Sequence, residues 1–146
     1  MTQVALQDSV MALKAEVLKL PQVELPTTHK FHGGMYCRQV ECPKGTLIIG
    51  KVHKKEHFFM IVSGTIVVTV DGEPISVTAP HMLCCAPGAQ RAIYAETDAV
   101  IMTLHRTDAV DVEAAEADLV EDDPDSAFGP GNLLKNKSQE VLTWLL

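Results

Sequence analysis

The stretch His53-Lys54-Lys55-Glu56-His57 sets two imidazoles on either side of a three-residue turn. If the flanking segments are adjacent strands, both rings can point to the same interior. Neutral imidazole is the commonest side-chain metal ligand and also a hydrogen-bonding group for a bound molecule. Glu56 is the one acid beside this pair in sequence, and its type allows a general-base role. A third ligand could come from His105, His81, His29 or His32. Spacing alone does not select among them, and His105, at the end of an expected strand, is carried as the third-ligand candidate. No Ser/His/Asp set, phosphate-cradling glycine loop or zinc-finger spacing accompanies them. The cysteines, Cys37, Cys42, Cys84 and Cys85, form no C-x-x-C pair. Neighbours in a strand face opposite ways, so Cys84 and Cys85 cannot serve one site. They read as free thiols of a reducing compartment.

The elements that must position these residues are mostly short strands. Residues 35–105 break into β-type runs at Met35–Val40, Thr46–His53, His57–Ser63, Thr65–Val70, Ile75–Thr78, Met82–Ala86, Ala89–Tyr94 and Ala99–His105. Gly33-Gly34, Pro43-Lys44-Gly45, Gly64, Asp71-Gly72, Ala79-Pro80 and Pro87-Gly88 mark the turns. Asp-Gly between two Val/Ile-rich runs is a strong hairpin signal. This spacing indicates a sandwich or barrel. Before it, residues 3–19 repeat apolar positions at helical spacing, and Pro21 and Pro26 end that helix and begin an extended arm. After it, Thr107-Asp108 offers a cap for a weakly amphipathic helix over 109–121. Residues 122–131, rich in Asp, Pro and Gly, read as a flexible linker. A third short helix from Ser138 carries Val141, Leu142, Trp144, Leu145 and Leu146. That apolar end suits packing on the barrel or docking on a partner subunit. The expected division is therefore an N-terminal helix and arm (1–26), a barrel (35–106) and an acidic and apolar C-terminal region (107–146).

The chain has 146 residues, enough for one domain with a real core. Its net charge of −7 is unevenly spread. Residues 108–125 hold nine acids and no base, leaving twelve bases against ten acids elsewhere. The body is thus near neutral, without the basic surface a nucleic-acid partner requires. No apolar run approaches the ~20 residues of a membrane span. The N-terminus lacks the basic start and apolar block of a signal peptide. The expected location is the cytoplasm.

Gly50 to Gly64 and Pro87 to Arg91 together resemble the two motifs of the cupin superfamily, a family of double-stranded β-helix (jelly-roll) barrels. Gly50-Lys51-Val52-His53-Lys54-Lys55-Glu56-His57, followed by six residues and Gly64, follows the first motif. Counted back from Gly64, His57 takes the position of the family's Glu ligand, His53 that of the second His, and Lys51 that of the first. Pro87-Gly88-Ala89-Gln90-Arg91 follows the second motif, with Arg91 at the third His position. The resemblance implies a mainly β barrel with its site inside. It also implies one divalent metal ion on His53 and His57. Two ligand positions have become cations, which turns the expectation toward a mixed site. There Lys51 and Arg91 would hold an anion such as a carboxylate, phosphate or nucleotide. Tyr36, Phe59 and Met102 are the strand residues expected to wall the pocket.

The runs Leu20–Pro26, Lys51–His57, Pro87–Ala95 and Leu104–Asp108 are similar to small cupin-like proteins encoded by bacteriophages, over about two thirds of the chain. This likeness implies either sequestration of a nucleotide-type host signal or a virion-associated assembly role. Three readings follow. The first is a non-enzymatic protein binding a small anion, the second a metal-dependent dioxygenase or isomerase, and the third an assembly protein with an inert interior. A homodimer is expected, since cupins often pair through sheet edges and terminal arms.

Overall fold

The computed structural model describes residues 12–135. Nine strands follow a short helical stretch at 12–17 (α1). They are β1 (Thr27–His32), β2 (Met35–Cys42), β3 (Leu47–Ile49), β4 (His57–Ser63), β5 (Thr65–Val70), β6 (Glu73–Thr78), β7 (His81–Cys85), β8 (Ala92–Ala95) and β9 (Ala99–Arg106). A helix, α2 (Val112–Leu119), and a 3-10 turn, Pro130–Asn132, complete the described chain. Two sheets result, ordered β1-β2-β9-β4-β7 and β3-β8-β5-β6, with antiparallel pairing throughout.

Period-2 alternation explains why the sheets close on each other. On β9, Ala99, Ile101, Thr103 and His105 are buried while Val100, Met102 and Leu104 are not. On β4, His57, Phe59 and Ile61 turn inward. Val40, Phe59, Ile61, Ile66, Val68, Ile93 and Ile101 meet between the sheets as the core. Each such side chain stabilises the fold by roughly 1.5–3 kcal/mol through burial. The polar residues His57, Thr103 and His105 lie at one end of these same inward rows. The expected mainly β barrel is therefore present, with its histidines on the core face.

Several boundaries differ from expectation, each for a local reason. The sheet begins at Thr27, well before Met35, because Thr27–His32 pairs along its length with β2. Its sequence, Thr-Thr-His-Lys-Phe-His, lacks the apolar alternation that marks a strand. Thr46–His53 yields only the three-residue β3, since residues 50–56 leave the sheet to form the site loop. Thr107 and Asp108 do not cap α2. Asp111 does, accepting from the Ala114 amide at 2.8 Å. Residues 122–131 are tied down: Gly131 N donates to Glu116 Oε1 at 3.2 Å, and Lys14 pairs with Asp123. The helix expected from Ser138 lies outside the described residues, as does most of the one expected at 3–19. Among the described residues no helix is long and apolar enough to cross a membrane.

Candidate metal centre

His53, His57 and His105 converge, with one ring nitrogen from each lying within 4.8 Å of the others. Ring centroids are 4.1 Å apart for His53–His57, 4.8 Å for His57–His105 and 5.5 Å for His53–His105. His57 and His105 are 9% and 5% exposed. His57 opens β4, and His105 lies on the neighbouring β9, where inward alternation carries both rings to the same side. His53 comes from the loop before β4. That loop is fixed by its backbone: His53 N donates to Ala89 O at 3.0 Å, and Gly88 N donates to His53 O at 2.7 Å. From the other side, Lys54 N donates to Leu119 O and Glu121 N to Val52 O.

The end of α2 is thus part of the scaffold of the site. Lys55 Nζ reaches both oxygens of Asp118 at 2.8 Å, and Lys54 Nζ donates to Ala117 O at 2.9 Å. Lys54 and Lys55 consequently brace the site loop against the acidic helix. The Thr107 hydroxyl donates to Asp118 at 2.8 Å and holds the same carboxylate. These hydrogen bonds, Lys55 first, keep the Asp118 carboxyl below its ordinary range.

Burial and neighbouring rings keep protons off the cluster at neutral pH. Burial, then the neighbouring His57, pushes His53 down to about 4. Burial, then His57, His53 and Arg38, pushes His105 down to about 3. His57 is lowered by burial too, against the opposing effect of its hydrogen bond to Lys55 O. At neutral pH all three rings are uncharged, with lone pairs available. With Nδ1–H donating to Lys55 O at 3.2 Å, His57 presents Nε2. His105 Nε2 and Thr103 Oγ1 share a 2.9 Å hydrogen bond in which either atom can donate; in the tautomer whose Nε2–H donates, Nδ1 is the nitrogen left for an ion. Such hydrogen bonds on the far nitrogen are how metal-binding histidines are oriented. The donor set fits a borderline transition ion such as Zn²⁺, Fe²⁺, Ni²⁺ or Co²⁺.

The cluster stands at the wall of a cavity of about 460 Å³. Tyr36, Arg38, Lys51, His53, Thr103 and His105 line its barrel side. Residues of the N-terminal arm, among them Lys14 and Leu18, cover it together with Phe128 from the C-terminal region. Beside the histidines, Tyr36 stacks on Phe31 at 4.6 Å and shares a 2.5 Å hydrogen bond with His29 Nδ1. Burial raises the Tyr36 phenol to about 12, so it stays protonated.

The expected site residues therefore separate. Lys51, His53, His105 and Tyr36 gather at the cavity, and His57 joins its two partners. Arg91 does not line the cavity. Its Nη1 donates to Thr69 O at 2.6 Å and its Nη2 to Cys85 Sγ at 3.5 Å. Phe59 is packed in the core between the sheets. Met102 sits on the opposite face of β9 from His105, as their odd spacing of three requires, and pairs with Met60. His29 is engaged with Tyr36, and His32 and His81 are exposed. Arg38, which the sequence reading passed over, enters the cavity. The signal was available: Arg38 is two residues from Tyr36, hence on its face.

No protein-family model matches the sequence, and no curated protein matches it. Solved structures do. A cupin superfamily protein from Desulfitobacterium hafniense aligns at TM-score 0.52 and 13% identity, over 64% of this chain and 87% of its own. KdgF from a Halomonas species aligns at TM-score 0.52 and 13% identity, over 60% and 84%. A protein from Photorhabdus luminescens aligns at TM-score 0.50 and 11% identity, over 58% and 77%. At these identities the likeness speaks for the fold alone: the chain has a jelly-roll barrel like that of these cupin structures.

Proposed function

We propose that this cupin-fold chain holds one divalent transition-metal ion on His53, His57 and His105, and binds a small anionic molecule in the adjoining cavity. The observation that carries this reading is the convergence of three imidazoles, His57 and His105 buried and His53 half-buried, with His53 and His105 lining the cavity. Three protein ligands leave positions for a ligand or water, the arrangement of catalytic rather than structural metal sites. When bound, the ion would supply Lewis acidity toward an oxygen donor. His53, His57 and His105 would fix its place, Thr103 and the Lys55 carbonyl would orient two of the rings, and the covering arm would limit water.

Equilibrium dialysis against Co²⁺ or Zn²⁺ followed by elemental analysis tests the metal. One equivalent per chain is expected in the native protein, and a loss of at least tenfold in affinity in His105→Ala. Binding that is substoichiometric, or unaltered by that change, contradicts the reading. Binding without turnover is the first form of the proposal. Conversion of the ligand, of dioxygenase or isomerase type, is the second form, favoured by the open three-ligand centre. Mass spectrometry of a ligand after incubation with metal-loaded protein separates the two.

The biological setting belongs to the same proposal and rests on the sequence likeness to phage-encoded cupin-like proteins. In it a cytoplasmic homodimer sequesters a host signal. A virion-associated assembly role is the alternative, and it predicts that His53→Ala leaves function intact.

A further inference from the structure

Arg38 is a charged group in the cavity that the metal reading does not use. On β2, Tyr36, Arg38, Val40 and Cys42 share the inward face by alternation. Arg38 lies directly across from Thr103 on β9, and Thr103 is the residue that holds His105 at 2.9 Å. The guanidinium is thus carried on the same wall as the histidine centre, and it lines the cavity with Lys51, His53 and His105.

Elsewhere Lys14 pairs with Asp123, and Arg91 donates to Thr69 O and Cys85 Sγ, its buried Nε alone lacking a partner. Among the described residues the ion pairs are Lys14–Asp123, Lys19–Glu16 and Lys55–Asp118, and no carboxylate comes within 4.0 Å of Arg38. The acid facing it, Glu116, also at the cavity wall, accepts instead from the Gly131 amide at 3.2 Å. Burial disfavours the charge on Arg38, with Glu116 and Tyr36 offsetting this only in part. A guanidinium offers five donors in a rigid fork, and Arg38 sits half-buried at the cavity wall with no carboxylate paired to it among the described residues. A planar oxyanion entering the cavity would satisfy those donors.

We propose that Arg38 anchors the carboxylate of a small organic acid whose remaining oxygen group faces His53, His57 and His105. The inference deepens the function proposed above, and so rests on that reading of the cavity, by naming the ligand class. A carboxylate fits the single fork in bidentate fashion. Its negative charge also suits a cavity lined by Lys51 as well as Arg38, in which Lys14 is already neutralised by Asp123.

The test is calorimetry on native protein and Arg38→Met, each metal-free and loaded with Co²⁺. The probes are lactate, pyruvate, the neutral analogue lactamide and inorganic phosphate. Lactate is expected to bind native protein at least tenfold more tightly than lactamide. Arg38→Met is expected to lose at least tenfold for lactate while Co²⁺ content and circular dichroism stay unchanged, and Arg38→Lys to recover part of the loss. Equal binding of lactate and lactamide, or unchanged lactate affinity in Arg38→Met, overturns the proposal. Phosphate binding more tightly than either acid overturns the carboxylate assignment. If native protein takes up no Co²⁺, the same comparison on metal-free protein still decides. Arg38-dependent lactate binding then upholds the anchor while the metal centre falls. If Arg38→Met does not fold, the lactate–lactamide ratio and Arg38→Lys decide.

Discussion

His53 and His105 give the metal-free protein a characteristic response to acid. In the unfolded chain a histidine takes up its proton near pH 6.5, whereas in the fold His53 does so only at about 4 and His105 at about 3. Between those limits the unfolded state binds more protons, so stability falls as pH drops below 6.5. At pH 5 the loss amounts to about 2 kcal/mol for each of the two rings. Urea midpoints of metal-free protein should fall accordingly between pH 7 and pH 5. A His53→Phe/His105→Phe variant should show a flatter profile, and a slope matching the native protein's would remove this account of the cluster. The residue scale is also where the sequence was least readable. His53 and His57 were legible from their turn and His105 as the third-ligand candidate at the end of its strand, but what brings His105 to them is the β4–β9 register, a contact between residues far apart in the chain.

At the scale of elements, the site depends on a loop held from outside the barrel. Asp118 on α2 binds Lys55 and Thr107, and so connects the helix, the site loop and the chain following β9. Asp118→Ala should leave the sheets intact but raise amide hydrogen exchange across residues 52–57. Unchanged exchange there would show that the backbone bonds to residues 88–89 and 119–121 suffice. The turn between β4 and β5 is a second dependency. Gly64 has φ +83°, and a Cβ there would come 2.2 Å from the Asp98 carbonyl oxygen. Neither its conformation nor its space admits a side chain. Gly64→Ala should cost more than about 2 kcal/mol in chemical denaturation; a cost under about 0.5 kcal/mol would contradict the geometry. Eight of the nine strands were readable from Val/Ile-rich runs and from turns such as Asp71-Gly72, whose hairpin pairs Val70 with Glu73. β1 was not, because its inward positions are Thr27, His29 and Phe31. They face the polar end of the barrel, where apolar alternation is not required.

For the whole molecule, described segments on either side of the barrel, around Lys14 to Leu25 and Ser126 to Asn132, close over one end of a barrel whose interior grades from apolar core to imidazole cluster. The acidic segment braces that cluster through Asp118. The outward face of the five-stranded sheet exposes Phe58, Val62 and Met82. Within the proposed homodimer this is a face that pairing would cover. Light scattering after gel filtration should then give twice the 15.9 kDa of the chain, and a mass of one chain would contradict the dimer. The central claim is that three histidines brought together by the fold hold one metal ion. Anomalous diffraction at the metal edge from crystals grown with Co²⁺ tests it most directly. The account predicts one strong peak per chain, about 2.1 Å from a ring nitrogen of each of His53, His57 and His105. A map with no peak there, or with the peak on other residues such as His29 or His81, would contradict it.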